Sequence, residues 1–273
     1  MGDIEYKTRE QMLYCQESAL IVNEIHNALR ESVHVGMTTA EADDIARDVL
    51  VSAGARSNFL GYYEYPAHIC VSVNEEIVHG IPGERVIQSG DIVSFDCGAV
   101  KNGWHGDSCF TMVMPGGDEA IAKSRQRLSD MTEESMWAGI AAIANGAYIG
   151  DIGGAIDDFV TENSPDLDIV LDYIGHGIGS QMHQGPDVPN YRTRARGPKI
   201  RSGMILCVEP MLTSGSQDNV TLDDGWTVVT LDGKDACHWE CQVAVHDRGI
   251  WVLNKPDGGA QRLEKYGVTP LPL

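Results

Sequence analysis

Two short motifs occur in the same order in each half of this chain. The run SGDIVSFD at 89–96 matches SGMILCVE at 202–209, with Ser-Gly, an aliphatic pair and an acid at the eighth place. The run HGDSCFTMV at 105–113 resembles HWECQVAV at 238–245, where His-x-acid opens a strand-like segment. Two matches in the same order indicate a duplicated unit. We therefore expect two similar halves packed about a pseudo-two-fold axis.

Four acidic residues occupy equivalent places in these motifs: Asp96, Asp107, Glu209 and Glu240. Each is predicted to lie on a strand whose opposite face is strongly apolar. An Asn-Gly hairpin turn at 102–103 would pair residue 96 with residue 109, which makes Asp107 a diagonal neighbour of Asp96, about 7–8 Å away between backbones. In a pseudo-symmetric fold the four carboxylates then converge at the centre.

Converging carboxylates repel one another in a partly buried site, so they either take up protons or bind a cation. Oxygen ligands joined by one imidazole suit Mn, Fe, Co or Zn. Two such ions about 3.5–4 Å apart would activate a shared water. The imidazole is expected from His176, because Gly175, Gly177 and Gly179 around it allow a close approach of the backbone.

Hydrophobic periodicity predicts an α+β fold. Thr38 and Glu41 have the spacing of a capping box, and Gly54 is a stop signal, so one helix is expected over about 39–53. His79 is expected to end a strand just before a Gly-Ile-Pro turn. The other helices are predicted at about 8–31, 118–144 and 152–162, with strands at 67–74, at 90–97 and through much of 169–254.

Composition excludes several classes of function. The net charge is −20, from 40 acidic and 20 basic residues, which disfavours binding to nucleic acid or to an anionic membrane. No apolar stretch approaches the roughly 18 residues that a membrane span needs, and the first residues lack the pattern of a signal peptide. Seven cysteines without a CxxC pair fit a reducing compartment. We expect a cytoplasmic protein.

An ordered set of motifs in this sequence resembles the type I methionine aminopeptidases. The motifs are GYYEYP (61–66), SVNEEIVHGIP (72–82), the two aspartate strands, GHGIG (175–179), GMILCVEP (203–210), DDGWTVVTLDG (223–233) and Trp239-Glu240. The resemblance implies the pita-bread fold, an α+β architecture of two pseudo-symmetric halves with helices outside a mixed, mainly antiparallel sheet. It implies a single catalytic domain over 1–273, with a helical lead-in at about 1–35 and halves at about 36–145 and 146–260.

The resemblance also implies a reaction, removal of the N-terminal methionine from nascent proteins by a hydroxide that bridges two divalent ions (Co, Mn, Fe or Zn). The implied metal ligands are Asp96, Asp107, His176, Glu209 and Glu240. Glu209 would also move protons, His183 would bind the developing oxyanion, and His79 would bind the peptide nitrogen. The implied methionine pocket is formed by Tyr62, Tyr65, Cys70 and Trp226, with Phe59 and Met182 beside them.

Some positions depart from the family pattern. Cys241 stands where His is frequent, Tyr63 where His is frequent, Glu64 where Gly is frequent and Met182 where Phe is frequent, which concerns substrate preference rather than the chemistry. The segment 191–201 carries five basic residues. It is either a ribosome contact or a solvated loop. The partners expected are nascent polypeptide N-termini, and the protein is expected to be a monomer.

Two alternatives stay open from the sequence. One is a proline-directed aminopeptidase or prolidase of the same fold, although those enzymes usually carry a sizeable extra N-terminal domain. The other is a non-catalytic binding module on this fold, although such proteins typically lose metal ligands and all five are present here.

Overall fold

The computed structural model describes residues 4–273. Within these residues the α helices are α1 (Arg9–Ser32), α2 (Thr39–Ser52), α3 (Glu119–Asn145), α4 (Gly150–Asn163) and α5 (Ala260–Leu263). The strands of the N-terminal part are β1 (Arg56–Ser57), β2 (Ile69–Val73), β3 (Glu76–Val78), β4 (Ile92–Lys101) and β5 (Trp104–Val113). The remaining strands are β6 (Asp168–Ile169), β7 (Gly175–Gly177), β8 (Gln184–Val188), β9 (Ile205–Val208), β10 (Met211–Thr213), β11 (Asn219–Thr221), β12 (Val228–Thr230), β13 (Ala236–His238), β14 (Cys241–His246) and β15 (Gly249–Val252).

The first two helices begin at matching caps. The Thr38 side chain accepts a hydrogen bond from the backbone N–H of Glu41, and the Glu41 carboxylate accepts one from the backbone N–H of Thr38. Thr8 and Gln11 form the same reciprocal arrangement at the start of α1. Each pair satisfies backbone donors that a helix start leaves free. The capping box predicted at Thr38 is therefore confirmed, and a second one exists.

The N-terminal sheet is centred on the β4–β5 hairpin. β5 pairs with β4 along its whole length. β2 and the short β1 both pair with the other edge of β4, and all of these pairings are antiparallel. The hairpin turns at Asn102 and Gly103, which both have positive φ, of 54° and 81°. A two-residue turn with two positive φ values is the type I′ turn that Asn-Gly favours.

The C-terminal sheet has the order β15-β14-β9-β7-β8, again antiparallel. Two smaller antiparallel sheets, β13-β10-β6 and β11-β12-β3, flank the centre. Across residues 4–273, parallel pairing occurs in the isolated bridge between Ile4 and Gly185. The sheets are therefore mainly antiparallel, as predicted.

The helices cover the outer faces of the sheets and bury separate cores. Residues of α1 and α2, such as Ile25 and Leu50, pack with Phe95 and Phe110 of the N-terminal hairpin. Trp137 of α3 packs with residues of α4, β9 and β14 in the second half. The α+β class is therefore confirmed. No helix within 4–273 is both long and apolar enough to span a membrane.

The two halves join at the residue pair Cys109 and Glu240. The backbone N–H of Glu240 donates to the carbonyl oxygen of Cys109 at 3.0 Å, and the N–H of Cys109 donates back at 3.3 Å. The hydroxyl of Ser108 also donates to the carbonyl oxygen of Glu240 at 2.6 Å. The β4–β5 hairpin is therefore held directly against the segment around Glu240, between β13 and β14.

Candidate metal centre and adjoining cleft

The hairpin register places the two aspartates as neighbours. Asp96 lies opposite Cys109, and Asp107 lies opposite Gly98. Asp107 is thus the diagonal neighbour of Asp96 on the same face, as the Asn-Gly turn predicted. Both side chains line one cavity. The backbone N–H of Asp107 donates to the side-chain oxygen of Gln242 at 3.2 Å, which ties this strand to β14.

His176 reaches the same cavity because its neighbours are glycines. A Cβ built on Gly175 would collide with the carbonyl oxygen of Cys207, and one on Gly177 would collide with the carbonyl oxygen of Gly185. Only residues without a side chain allow β7 to lie this close to β8 and β9. The close backbone approach predicted around His176 is present.

Glu209 and Glu240 reach the cavity from strand ends. Glu209 directly follows β9, and Glu240 lies in the gap between β13 and β14. The expectation that each acid sits within a strand is therefore wrong for these two. The strand is interrupted at Glu240 because the chain changes its pairing partners there. β13 pairs with β10, whereas β14 pairs with β9 and β15.

The floor of the cavity is a cluster of carboxylates and one imidazole. Ligand atoms of Asp96, Asp107 and Glu240 lie within 4.8 Å of one another, as do those of His176, Cys207 and Glu240. The Nε2 atom of His176 lies 3.4 Å from Oε1 of Glu209. All five residues that the sequence predicted as metal ligands are thus brought together.

Each of the four carboxylates has a buried oxygen without a hydrogen-bond partner. These atoms are Oδ1 of Asp96, Oδ1 of Asp107, Oε1 of Glu209 and Oε1 of Glu240. Leaving a charged acceptor buried and unpartnered costs more than leaving a neutral one. Four such atoms facing one cavity indicate that the site is built to hold a cation.

Burial and mutual repulsion raise the pKa values of the carboxyl groups. Burial raises the pKa of Asp96 to about 7. The pKa of Asp107 is raised by burial, then by Glu240 and Asp96. Burial also raises the pKa of Glu209, helped by Asp107, and that of Glu240, helped by Glu209. A bound cation would reverse these shifts, because an opposite charge favours the ionised form.

The donor set fits divalent ions. Two atoms bound to one ion on bonds of about 2.1 Å lie about 3.4 Å apart at a tetrahedral angle, which matches the separation of His176 and Glu209. Burial lowers the pKa of His176 to about 3, with His183 contributing. The imidazole is therefore neutral at pH 7, the form that binds metal.

Two further imidazoles lie on the walls above this floor. The Nδ1 atom of His183 lies 2.9 Å from the hydroxyl oxygen of Tyr62, and its ring is 4.3 Å from that of His176. His79 directly follows β3 with a positive φ of 61° and packs edge-on against Tyr173 and Trp226. A non-glycine residue in this backbone region is strained, and such strain clusters at functional sites.

The side of the cavity is an apolar pocket. Phe59, Tyr65, Cys70 and Met182 are buried in one cluster, and Tyr62 and Trp226 pack against it. The rings of Tyr65 and Trp226 meet edge-on at 5.1 Å between centroids. All of the residues predicted for the methionine pocket therefore line one space. Its sulfur and aromatic lining suits a thioether side chain.

The cavity encloses about 190 Å³. Pockets that hold drug-sized ligands measure roughly 300–1,000 Å³, so this one suits a single side chain with its adjoining amide. The metal floor and the apolar wall belong to the same cavity. A residue seated against the wall would therefore present its backbone to the carboxylates.

Comparison with known proteins agrees with this geometry. Residues 14–247 match the model of metallopeptidase family M24. Methionine aminopeptidase 1 of Bacillus subtilis is 40% identical over 249 residues, which cover 91% of this chain and 98% of that protein. The chain belongs to metallopeptidase family M24. As a member of this family the protein is a metal-dependent hydrolase.

Solved structures confirm the pita-bread fold for this M24 protein. The methionine aminopeptidase of Rickettsia prowazekii superposes with a TM-score of 0.87 at 29% identity, covering 93% of this chain and 100% of that one. The prolidase of Pyrococcus furiosus superposes with a TM-score of 0.70 at 18% identity, covering 92% of this chain and 65% of that one. The second match shows the shared fold alone.

Several residues that line this cavity or touch its floor were not assigned from the sequence, and three of them carry polar or thiol groups. Tyr173 contacts His79, Cys207 lies near His176 and Glu240, and His238 faces the floor. The signal for His238 and Cys207 was strand alternation, since they share a face with Glu240 and Glu209 respectively. Tyr173 lies in a loop, where no periodicity points to it.

Proposed function

We propose that this protein is a methionine aminopeptidase, which hydrolyses the bond after the N-terminal methionine of a polypeptide. The observation that carries the proposal is the union of two features in one cavity. Its floor holds four buried carboxylates with unpartnered oxygens, and its wall is an apolar pocket containing Cys70 and Met182. A methionine side chain fits the apolar wall. The backbone carbonyl of that methionine then lies above the carboxylate floor.

The floor would hold two divalent ions among Asp96, Asp107, His176, Glu209 and Glu240. Such ions, when bound, polarise a carbonyl oxygen and lower the pKa of a water. The net charge of −20 also attracts the free α-amine of a chain end. Cleavage would be restricted to chain ends if the cationic α-amine must approach these acids.

Glu209 is proposed to accept the proton of the attacking water and to pass it to the departing amine. Its carboxylate fits this role because Oε1 is buried, unpartnered and directed at the cavity. A general base must lie within hydrogen-bond reach of the proton that it takes. Glu209 belongs to the cavity floor and lines the same cavity as the apolar pocket, which supports this role.

His183 and His79 are proposed to bind the polar atoms of the scissile amide. Burial lowers the pKa of His183, and it lowers the pKa of His79 to about 4, with His183 contributing. Both imidazoles are thus neutral N–H donors at pH 7. His183 would donate to the carbonyl oxygen as charge develops there, and His79 would contact the peptide nitrogen. Loss of one such donor costs about 2.7–4 kcal/mol in the transition state.

The test is activity against the peptide Met-Ala-Ser after chelation, followed by Mn, Fe, Co or Zn added back one at a time. We expect no turnover without metal and recovery with at least one ion. Replacing Asp107 by Asn should abolish turnover and weaken metal binding. Asp247→Asn is the matched control, because that carboxylate is 86% exposed.

Three results would overturn the proposal. Preference for Xaa-Pro peptides over Met-Ala-Ser would assign a proline-directed activity on the same fold. Absence of any bound or activating divalent ion would assign a binding module without catalysis. Near-normal activity of Asp107→Asn would remove the proposed ligand set.

The substrates in the cell are proposed to be the N-termini of nascent polypeptides, in the cytoplasm. All seven cysteines are free and buried, which fits a reducing compartment. In the basic segment Arg196 already pairs with Asp151 at 3.1 Å and lies over the ring of Tyr148. A ribosome contact by this segment and the monomeric state both stay predictions.

A further inference from the structure

His238 is a buried imidazole directed at the cavity floor. The residue is 2% exposed, it lines the cavity, and its Nε2 atom is buried without a hydrogen-bond partner. A buried polar atom of this kind carries a desolvation cost that packing does not repay. The ring is therefore placed to meet a polar group inside the cavity.

The backbone of His238 is held firmly from the other half of the molecule. Its N–H donates to the hydroxyl of Ser94 at 3.3 Å, and its carbonyl oxygen accepts from the hydroxyl of Thr111 at 2.6 Å. These two hydroxyls also contact each other at 2.7 Å. The imidazole is therefore presented to the cavity from a fixed support rather than from a loop.

Glu209 lies between His238 and His176. Oε1 of Glu209 lies 3.4 Å from Nε2 of His176, and Oε2 lies 3.8 Å from Nε2 of His238. One oxygen of the carboxylate thus faces the metal floor, and the other faces His238. Each oxygen of the Glu209 carboxylate therefore lies near one imidazole.

We propose that His238 is a positioning residue, which orients the Glu209 carboxylate by donating an Nε2–H hydrogen bond to Oε2 when substrate fills the cavity. This inference rests on the proposed function above. The present separation of 3.8 Å is about 0.6 Å beyond the upper end of the hydrogen-bonding range. Hydrogen bonds of catalytic groups are often long without ligands and shorten in the complex. A fixed Oε2 keeps Oε1 directed at the cavity floor, where Glu209 is proposed to accept the proton of the attacking water.

The test compares three variants of the full chain: His238→Leu, His238→Gln and the control His246→Gln. Leu removes the donor, whereas Gln keeps an N–H donor at a similar reach. His246 lies at the far end of β14, outside the cavity. We would measure kcat and KM on Met-Ala-Ser, the dissociation constant for Zn by calorimetry, and Tm for folding.

We expect His238→Leu to lower kcat by about 10–100-fold, the usual effect of removing a partner that orients a metal-site ligand. KM and the Zn dissociation constant should change less than about threefold, because neither pocket nor ligands are removed. His238→Gln should recover most of kcat, and the control should match the wild type. A histidine side-chain ¹H–¹⁵N spectrum of the Zn-loaded wild type should show a proton on Nε2 of His238, assigned by its loss in the Gln variant.

An unchanged kcat in His238→Leu would overturn the inference, as would an effect confined to KM or a loss of Zn binding. A bare Nε2 in the spectrum would also overturn it. Failure of the wild type to cleave Met-Ala-Ser with every metal would instead overturn the proposed function, and this inference with it. An active wild type beside an equally active Leu variant overturns the inference alone.

Discussion

The hydroxyl oxygen of Tyr62 lies 2.9 Å from Nδ1 of His183. The two residues are separated by 121 positions in the chain, and the contact joins the aromatic pocket to the imidazole proposed for oxyanion binding. When Tyr62 donates this hydrogen bond, the proton of the neutral imidazole lies on Nε2. His183 is then a donor toward the cavity, which is the tautomer that the proposed role requires.

Replacing Tyr62 by Phe should lower kcat on Met-Ala-Ser by about 2–13-fold, because one neutral hydrogen bond is worth roughly 0.5–1.5 kcal/mol and the imidazole loses the partner that fixes its tautomer. KM should change little, since the ring that lines the pocket is kept. Steady-state kinetics would measure both constants. Tyr63→Phe is the control, because Tyr63 is 79% exposed. Equal kcat values for the two variants would remove the role of Tyr62.

Local signals in the sequence predicted much of the fold. The Asn-Gly turn is enough to predict the register of Asp96 and Asp107, since a two-residue loop leaves one pairing. The capping box at Thr38 predicted the start of α2 at the residue where it occurs. These features depend on neighbours in the chain, and such interactions are readable from sequence.

Long-range contacts could not be predicted in the same way. Strand alternation assigned Glu240 to a continuous strand, but the chain changes sheets at that residue to pair with Cys109. Nothing in HWEC indicates a change of partner. The contact of Tyr62 with His183 and the position of Tyr173 likewise depend on how distant segments pack. The motif resemblance supplied the candidate residues but not these contacts.

In chelated protein, Asp107→Asn should become more stable relative to the wild type as pH rises from about 4, the pKa of an unfolded aspartate, through the raised pKa of Asp107 in the folded protein. The pKa of Asp107 is raised in the folded protein by burial, then by Glu240 and Asp96. The native state therefore binds its proton more tightly than the unfolded chain does, and the free energy of unfolding falls as pH rises through that window. Asn carries no proton to lose, so the difference in Tm reports the titration of Asp107 together with its repulsion of the neighbouring carboxylates.

Added Zn should make the wild type more stable than Asp107→Asn at neutral pH, the reverse of their order in chelator. A ligand at a hundred times its dissociation constant stabilises the folded state by about 2.7 kcal/mol, and the Asn variant should bind Zn weakly. Thermal unfolding with chelator and with Zn, across the pH range, would measure both effects. A difference in Tm that does not change with pH would contradict the buried repulsion at this site.

Lys7 should be important for stability and for the position of His183. The residue is 5% exposed, and its Nζ donates to the carbonyl oxygen of Glu5 and to the side-chain oxygen of Gln184, both at 3.0 Å. The Glu5 carboxylate in turn accepts hydrogen bonds from Ser180. The segment that carries His183 is therefore tied to the N-terminal residues through Lys7.

Lys7→Met keeps most of the side-chain volume but removes the donor. Two acceptors lose their partner, so we expect a loss of about 1–3 kcal/mol in the free energy of unfolding, together with a lower kcat. Denaturant unfolding and kinetics on Met-Ala-Ser would measure the two effects. Lys123→Met, at an exposed position of α3, is the control. Unchanged stability and kcat in Lys7→Met would show that the tie has no energetic role.

Met182 should limit the size of the N-terminal residue that the pocket accepts. It is 4% exposed and packs in the pocket cluster with Phe59, Tyr65 and Cys70. Met182→Ala should raise KM for Met-Ala-Ser by at least about tenfold, because even one missing methylene contact in a hydrophobic pocket is worth roughly 1–3 kcal/mol. The space gained should favour larger residues, so kcat/KM for Phe-Ala-Ser should rise relative to Met-Ala-Ser. The control is Met112→Ala, which lies outside the cavity and should leave this ratio unchanged. If Met182→Ala also leaves it unchanged, the methionine side chain does not occupy this wall.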